Sequence, residues 1–331
     1  VQTSVSEIEL RRKRWPMSVR WPAFAAICVV FWPISLLLRV IGRWPNVIGG
    51  LTANFAQSFG AYRPTSSDVI VASGFKSGTN WTMQIAVQVA HRGLADFGHI
   101  HDVVPWPELP RSARFAVPAE DDAARRNSLT GLRVIKTHLP LGNVPYVAWA
   151  RYICVVRDPK DVAVSSYFFL KRLIFGPTMG SINDWVRLST MGRGMGWAEH
   201  LASFWKRRDC DNVLFLTYEE MKQDLNGTVA QIAEFMGVDL TDEEVALVAE
   251  KSSFTYMKSV SEKFDPVGMG PPWADAVGSM LRKGVSGSSR EYLTREQRRQ
   301  IDHHWKKELI RLGCDFPYEA YYETPEPIVQ E

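Results

Sequence analysis

From Asp68 onward the chain alternates short β-branched runs with longer helical stretches, the pattern of a parallel sheet joined by crossover helices. It predicts strands over Asp68 to Ser73, Leu132 to Lys136, Tyr152 to Val156 and Asn212 to Thr217. Helices are predicted to begin near Asn80, Asp158 and Glu219, with a long charged one over Thr294 to Leu312. The expected class is α/β, a three-layer parallel sheet whose first strand passes through a P-loop-like turn into a helix. Phe264 to Pro272, rich in glycine and proline, reads as a loop before Arg282.

The 331 residues, 46% apolar and 23% charged, are enough for a substantial core and exclude a disordered or collagenous chain. Lysine and arginine exceed the acids by 39 to 36, a net charge of +3. That is too small for a nucleic-acid binder built on a global basic field, so no nucleic-acid partner is expected and any basic site must be local. Cys28, Cys154, Cys210 and Cys314 are scattered, without CxxC or His/Cys metal-ligand spacing. Neither a disulfide framework nor a metal site is expected.

Residues 1 to 62 read as a segment apart from a catalytic domain over 63 to 331. A basic cluster of Arg11, Arg12, Lys13, Arg14 and Arg20 leads into the apolar stretch Ala23 to Leu38, broken by Pro33 and Ser35. At ~1.5 Å per residue those positions reach about 24 Å as a helix, short of a bilayer core of about 30 Å. Tryptophans at 15, 21, 32 and 44 resemble interfacial anchors. The segment is expected to lie in one leaflet of a membrane surface, with a spanning helix and a buried hairpin as the alternatives.

Four segments carry chemistry. After the first predicted strand come Gly74, Phe75, Lys76, Ser77, Gly78, Thr79, Asn80 and Trp81, a turn opening a helix whose amides can receive a phosphate. It is not a Walker A loop, because Thr79 stands where the lysine should follow and Lys76 lies inside the turn. The second strand ends in Lys136-Thr137-His138-Leu139-Pro140. This places a cation and a candidate base at the sheet edge where α/β folds bind ligands, the alternative being a histidine that caps a turn. The third strand runs into Arg157-Asp158-Pro159-Lys160-Asp161, with Ser165 two turns along. Arg157 is either a fork for a second phosphate or half of a surface pair with Asp161. Near the end, Arg282-Lys283-Gly284 is a phosphate grip or a solvated basic turn.

In this order and at these strand ends, the four segments resemble the sulfotransferase family that uses 3′-phosphoadenosine 5′-phosphosulfate (PAPS), most closely its cytosolic-type branch. The resemblance covers roughly Asp68 to Leu312. It implies that the loop Lys76 to Trp81 (Lys76, Ser77, Gly78, Thr79, Asn80, Trp81) holds the 5′-phosphosulfate end of the donor. It further implies that Arg157 and Ser165 hold the 3′-phosphate, that Arg282, Lys283 and Gly284 close over the donor, and that Trp81, Tyr218, Ser252 and Phe254 form an adenine pocket. The implied reaction is sulfuryl transfer from PAPS, without a metal, to an acceptor hydroxyl or amine. His138 is then the general base, with Lys76, Lys136 and Ser165 as the other catalytic groups. Trp106, in the rigid run His101 to Glu108, together with Phe168 and Phe169, suggests an apolar small-molecule or lipid acceptor.

The chain departs from the family pattern at Phe75, where a proline is usual, at Asn80, and at Gly287-Ser288-Ser289-Arg290. The family's dimer segment is only partly present, as Arg290, Thr294, Arg295 and Arg299, which leaves the oligomeric state open. Asn80-Trp81-Thr82 is a glycosylation sequon inside the donor loop, so the catalytic domain is expected in the cytoplasm, attached to a membrane's inner face. The competing readings are a nucleotide-dependent kinase of a small acceptor and a catalytically idle membrane adaptor.

Overall fold

The structure, a computed structural model, describes residues 58–108, 119–175, 179–190, 196–265, 280–282, 284 and 286–323. The apolar amino-terminal stretch, most of the glycine- and proline-rich loop before Arg282, and Lys283 lie outside these residues. No helix among the described residues is long and apolar enough to cross a membrane.

Four strands, β1 (Asp68–Ser73), β2 (Arg133–Thr137), β3 (Arg151–Val156) and β4 (Val213–Thr217), form one sheet in the order β2-β1-β3-β4. All three pairings are parallel. Ala72 near the end of β1 is in register with Thr137 on one side and Cys154 on the other, so three carboxyl ends finish level. The helices are α1 (Thr79–Ala90), α2 (Pro159–Leu170), α3 (Ile182–Ser189), α4 (Trp197–Trp205), α5 (Tyr218–Gln223), α6 (Leu225–Met236), α7 (Asp242–Lys251), α8 (Phe254–Ser259) and α9 (Arg295–Arg311), besides shorter helical turns.

Alternation along each strand assigns the two cores. Ile70, Ala72, Ile135, Tyr152 and Cys154 face Val162 and Ala163 of α2, Leu201 and Phe204 of α4, and Trp305 and Leu309 of α9. Val69, Val71, Val134, Ile153 and Val155 face Met83 and Ile85 of α1, Val229 and Ile232 of α6, and Val248 of α7. The sheet is thus sandwiched between helical layers, as the alternating pattern predicts. With both faces covered, its strands are near-continuous apolar runs.

Helix starts follow local chemistry. The Asp158 side chain accepts from the Lys160 amide and Pro159 occupies the first turn of α2. Capping boxes led by Thr217, Thr241 and Thr294 open α5, α7 and α9. Four strand ends shift by one residue from the sequence expectation: β2 starts and ends one residue later, β3 starts one earlier and β4 one later. Leu132 follows the left-handed Gly131 (φ 71°) and stays out of β2. Asn212 precedes β4 because its side-chain amide donates to the carbonyls of Val147 (3.1 Å) and Ala150 (3.0 Å), clasping the turn before β3.

At the end of the sheet opposite the ligand edge, Arg133 and Asp68 form an ion pair of 2.8 Å, 3% and 0% exposed. Arg133 also donates to the carbonyls of Ala119 (2.8 Å) and Asp121 (2.6 Å), and Tyr62 bonds both partners. Removing one partner strands the other charge, so Arg133→Ala should lower unfolding stability by about 3–5 kcal/mol. The check is a denaturant midpoint. A midpoint unchanged from wild type would show that the pair does not join β1 to β2.

Candidate active site

The turn after β1 carries small residues and leads directly into α1. Gly78 precedes α1 in a left-handed conformation (φ 105°) without a side-chain cap, which leaves the first amides of the helix unmatched. A side chain at Gly78 would meet the Tyr218 ring at 2.9 Å. Lys76 is itself left-handed (φ 62°), a conformation that costs a non-glycine residue about 1 kcal/mol or more. Its ammonium stands 4.1 Å from the centroid of the Phe169 ring. Burial of that ammonium, then the nearby Arg157 and Arg282, lowers its pKa to about 7. The Ser77 hydroxyl is buried without a partner among the described residues, while the Ser73 and Thr79 hydroxyls share a 2.5 Å bond. The Asn80 side chain is buried and donates to the Phe264 carbonyl at 3.4 Å, so the sequon is closed to a glycan in the folded domain.

β2 delivers two further groups to the same edge. The Lys136 ammonium lies 3.3 Å from the Trp106 ring centroid, and its backbone N–H donates to the Pro105 carbonyl at 2.9 Å. Burial lowers the Lys136 pKa to about 7 against the opposing pull of Glu108. His138 Nδ1 is 2.8 Å from the Ser73 carbonyl oxygen. A carbonyl can only accept, so Nδ1 carries the proton and Nε2 holds the lone pair. Burial, then Lys136, lowers the His138 pKa to about 3, so the ring is neutral at physiological pH. The histidine does not cap the turn before Pro140, because its ring reaches back to β1.

The third strand supplies Arg157. It is buried, stacks 4.3 Å from the Tyr218 ring centroid and pairs with Asp161 at 3.3 Å. That pair is present as the i to i+4 spacing suggests, but it is not on the surface. Asp161 is fully buried and also accepts from the amides of Gly287 (2.7 Å) and Ser289 (2.8 Å). The closing turn is thereby clipped to the start of α2. Arg282 meets the Tyr292 hydroxyl at 3.4 Å and lies 4.8 Å from the Phe168 ring centroid. Ser165 is half-buried on α2, and no bond between it and Lys76 is formed.

The aromatic residues divide into two groups. Trp81 packs edge-on against Tyr218 (5.3 Å between centroids) and donates to the Ser252 carbonyl at 2.8 Å. A side chain on Gly284 (φ 61°) would come within 2.2 Å of the Phe254 ring, so that glycine lets the closing turn lie on Phe254. On the other side of the lysines, Phe75 packs edge-on against Phe169 (5.6 Å) and His138 (6.1 Å), and Trp106 abuts His138 at 5.5 Å. Phe169 and Trp106 therefore share one wall. Phe168 lies with Arg282 and Tyr292 instead (4.9 Å to Tyr292), since adjacent helical residues do not face the same way.

Four residues without an assigned role in the sequence reading belong here. Phe75 completes the apolar wall. His101 stacks on Trp106 at 5.4 Å, and Glu108 bonds the backbone of His138. His200 of α4 is buried near Gly74 with neither ring nitrogen partnered among the described residues, and burial lowers its pKa to about 3. Phe75 lies in the turn after the first strand and His101 and Glu108 bound the run that carries Trp106, whereas His200 carried no local signal. Among the described residues no group of three or more His, Cys, Asp or Glu side chains is placed to hold a metal, and Cys154, Cys210 and Cys314 are free thiols.

A family model for the sulfotransferase domain matches residues 66–313. This chain belongs to the sulfotransferase family. Sulfotransferase 2A1 of Homo sapiens is 30% identical over 258 residues, covering 76% of this chain and 88% of the human protein. Sulfotransferase 1B1 of Canis lupus familiaris is 30% identical over 298 residues, covering 84% and 95%. Among solved structures, mouse sulfotransferase SULT7A1 complexed with PAP is 26% identical with a TM-score of 0.59, covering 77% of this chain and 88% of the mouse chain. Retinol dehydratase in complex with androsterone and PAP is 25% identical with a TM-score of 0.57, covering 82% and 88%.

A sulfotransferase needs a site for a polyanion, and the residues present fit one. Lys76 and Lys136 have pKa values lowered mainly by burial and further by neighbouring cations, Arg157 and Arg282 beside Lys76 and Lys76 beside Lys136. Among the described residues the buried hydroxyls of Ser77 and Ser252 have no partner. Because Lys136 lies on Trp106, its titration should appear in tryptophan fluorescence as a step centred near pH 7 that disappears in Lys136→Met. A wild-type trace with no such difference from the variant between about pH 6 and 9 would show that the ammonium is not depressed.

Proposed function

We propose that this sulfotransferase moves a sulfuryl group from PAPS to a hydroxyl, or an amine, of an apolar small molecule or lipid, with His138 as general base. The observation that carries the proposal is the unprotonated His138 Nε2, fixed by the Ser73 carbonyl, beside two lysines at the ends of adjoining parallel strands. When bound, PAPS supplies the sulfuryl group and a phosphate leaving group. Arg157, which follows β3, and Ser165 of α2 would hold the 3′-phosphate, Trp81, Tyr218, Ser252 and Phe254 the adenine, and Arg282, Lys283 and Gly284 would close over the donor.

His138 Nε2 takes the acceptor's proton as the acceptor oxygen bonds to sulfur and the bond from sulfur to the 5′-phosphate oxygen breaks. Lys76 neutralises the released phosphate oxygen, and Lys136 holds the transferring group. Phe75, Trp106 and Phe169 keep water from the reacting centre and favour an apolar acceptor. The donor's negative charge supports the imidazolium that forms, offsetting the depression that burial and Lys136 impose on His138.

The histidine's role predicts that His138→Ala lowers turnover by about 10²–10⁴-fold while PAP affinity stays within about 2-fold, read by label transfer and calorimetry. Turnover within tenfold of wild type would remove the base from the mechanism. Lys76→Ala should lower kcat by about 10²–10³-fold, and a rate within severalfold of wild type would remove its role.

Donor binding should also take up protons. The lysines have pKa values of about 7 in the free protein, and a bound polyanion raises them. The lysines' contribution to PAP affinity should therefore be complete below about pH 7 and be lost as pH rises above it. Calorimetry at about pH 8 in buffers of different ionisation enthalpy measures the uptake. Identical heats in all buffers would contradict it.

A further inference from the structure

The carboxylate of Glu108 has no part in the mechanism above, yet it is only 9% exposed at the carboxyl edge of the sheet. It comes from the run that carries Trp106, not from a strand. Oε1 accepts the Thr137 hydroxyl at 2.8 Å and the backbone N–H of His138 at 2.5 Å. Oε2 is buried and unpartnered among the described residues. A carboxylate is seldom retained in such a place without a job, because taking it from water costs several kcal/mol unless its bonds recover the loss. Thr137 in turn accepts from the Leu139 amide at 3.1 Å, so Glu108 reaches the turn after β2 through two successive residues.

The same run meets β2 twice more. The Pro105 carbonyl accepts from the Lys136 amide at 2.9 Å, and the Trp106 ring lies under the Lys136 ammonium and against His138. The Trp106 wall, expected to touch the acceptor, is therefore tied to the main chain of His138 through Glu108. The Ser73 carbonyl sets the histidine's ring from one side while Glu108 sets its backbone from the other.

We infer that Glu108 is a positioning residue for His138, a carboxylate that couples the acceptor-side run to the placement of the base. It acts through His138 and does not touch the reacting atoms. The inference rests on the proposed sulfuryl transfer. Loss of the bond frees the His138 backbone by a fraction of an ångström or more, and misplacement of about 1 Å costs about 10²-fold in rate.

The test measures label transfer from PAPS to a phenol, with PAP affinity by calorimetry, for wild type, Glu108→Ala, Glu108→Gln, His138→Ala and the Glu108→Ala/His138→Ala double variant. Glu108→Ala should lower kcat by about 30- to 100-fold with PAP affinity within about 3-fold of wild type. Glu108→Gln keeps an oxygen that can accept both bonds, so kcat should stay within about 5-fold. The double variant should be no slower than His138→Ala alone, the non-additivity of a residue that acts through another. If Glu108→Ala does not fold, Glu108→Asp carries the test: it keeps the charge, withdraws the carboxylate by one methylene, and should lose kcat similarly.

A Glu108→Ala rate near wild type, an additive double variant, or a Glu108→Gln loss as deep as that of Ala would each overturn the inference. In all three cases the functional reading survives if His138→Ala remains inactive. No transfer by wild-type enzyme to any acceptor would overturn that reading, and this inference with it.

Discussion

A single carboxylate, Asp161, decides whether the two halves of the polyanion site exist as one. It draws together Arg157 at the end of β3 and the amides of Gly287 and Ser289, the latter 128 residues further along the chain. A fully buried carboxylate is tolerable only with such a set of donors, and these donors are oriented only because the carboxylate is there. The neighbouring residues of the same helical turn do related work. Asp158 caps α2, and Lys160 reaches Asp302 of α9 at 2.6 Å. One turn of helix therefore fixes the third strand, the closing turn and the outermost helical layer relative to each other.

Around that node the protein gathers cations in a desolvated place. Aromatic faces compensate in part: Phe169 under Lys76, Trp106 under Lys136, Tyr218 under Arg157 and Phe168 beside Arg282. Rings support a cation without neutralising it, so the site stays electrically unfinished, whereas carboxylates in the same places would compete with a polyanionic donor. Glu108 and Asp161 are held by hydrogen bonds from main chain or hydroxyl groups as well as by charge. This arrangement keeps their negative charge engaged within the framework.

The sheet was legible because β-branched runs buried on both faces announce themselves, and the errors at Leu132 and Asn212 are errors of one residue at turns. The site was legible where chemistry and punctuation coincide, as at Gly74 to Gly78 and at Lys136-Thr137-His138. It was not legible where long-range contacts decide. Arg157 and Asp161 have the spacing of an ordinary surface pair, and only residues beyond Ser286 show that the pair is buried. Phe168 and Phe169 looked equivalent in sequence, although neighbours on a helix diverge. Glu108 closes the run that holds Trp106, but its bonds to Thr137 and His138 are made across to β2 and leave no trace in sequence. The expectations for residues 1 to 57 fall outside the described structure.

The Ser73 carbonyl that fixes the ring of His138 belongs to the main chain of the central strand pair. Every residue type presents a carbonyl at that position, so no side-chain exchange at 73 can reverse which nitrogen of His138 carries the proton. Tautomer choice is in this sense encoded in topology, and it is shielded from point mutation as long as the register of β1 on β2 holds.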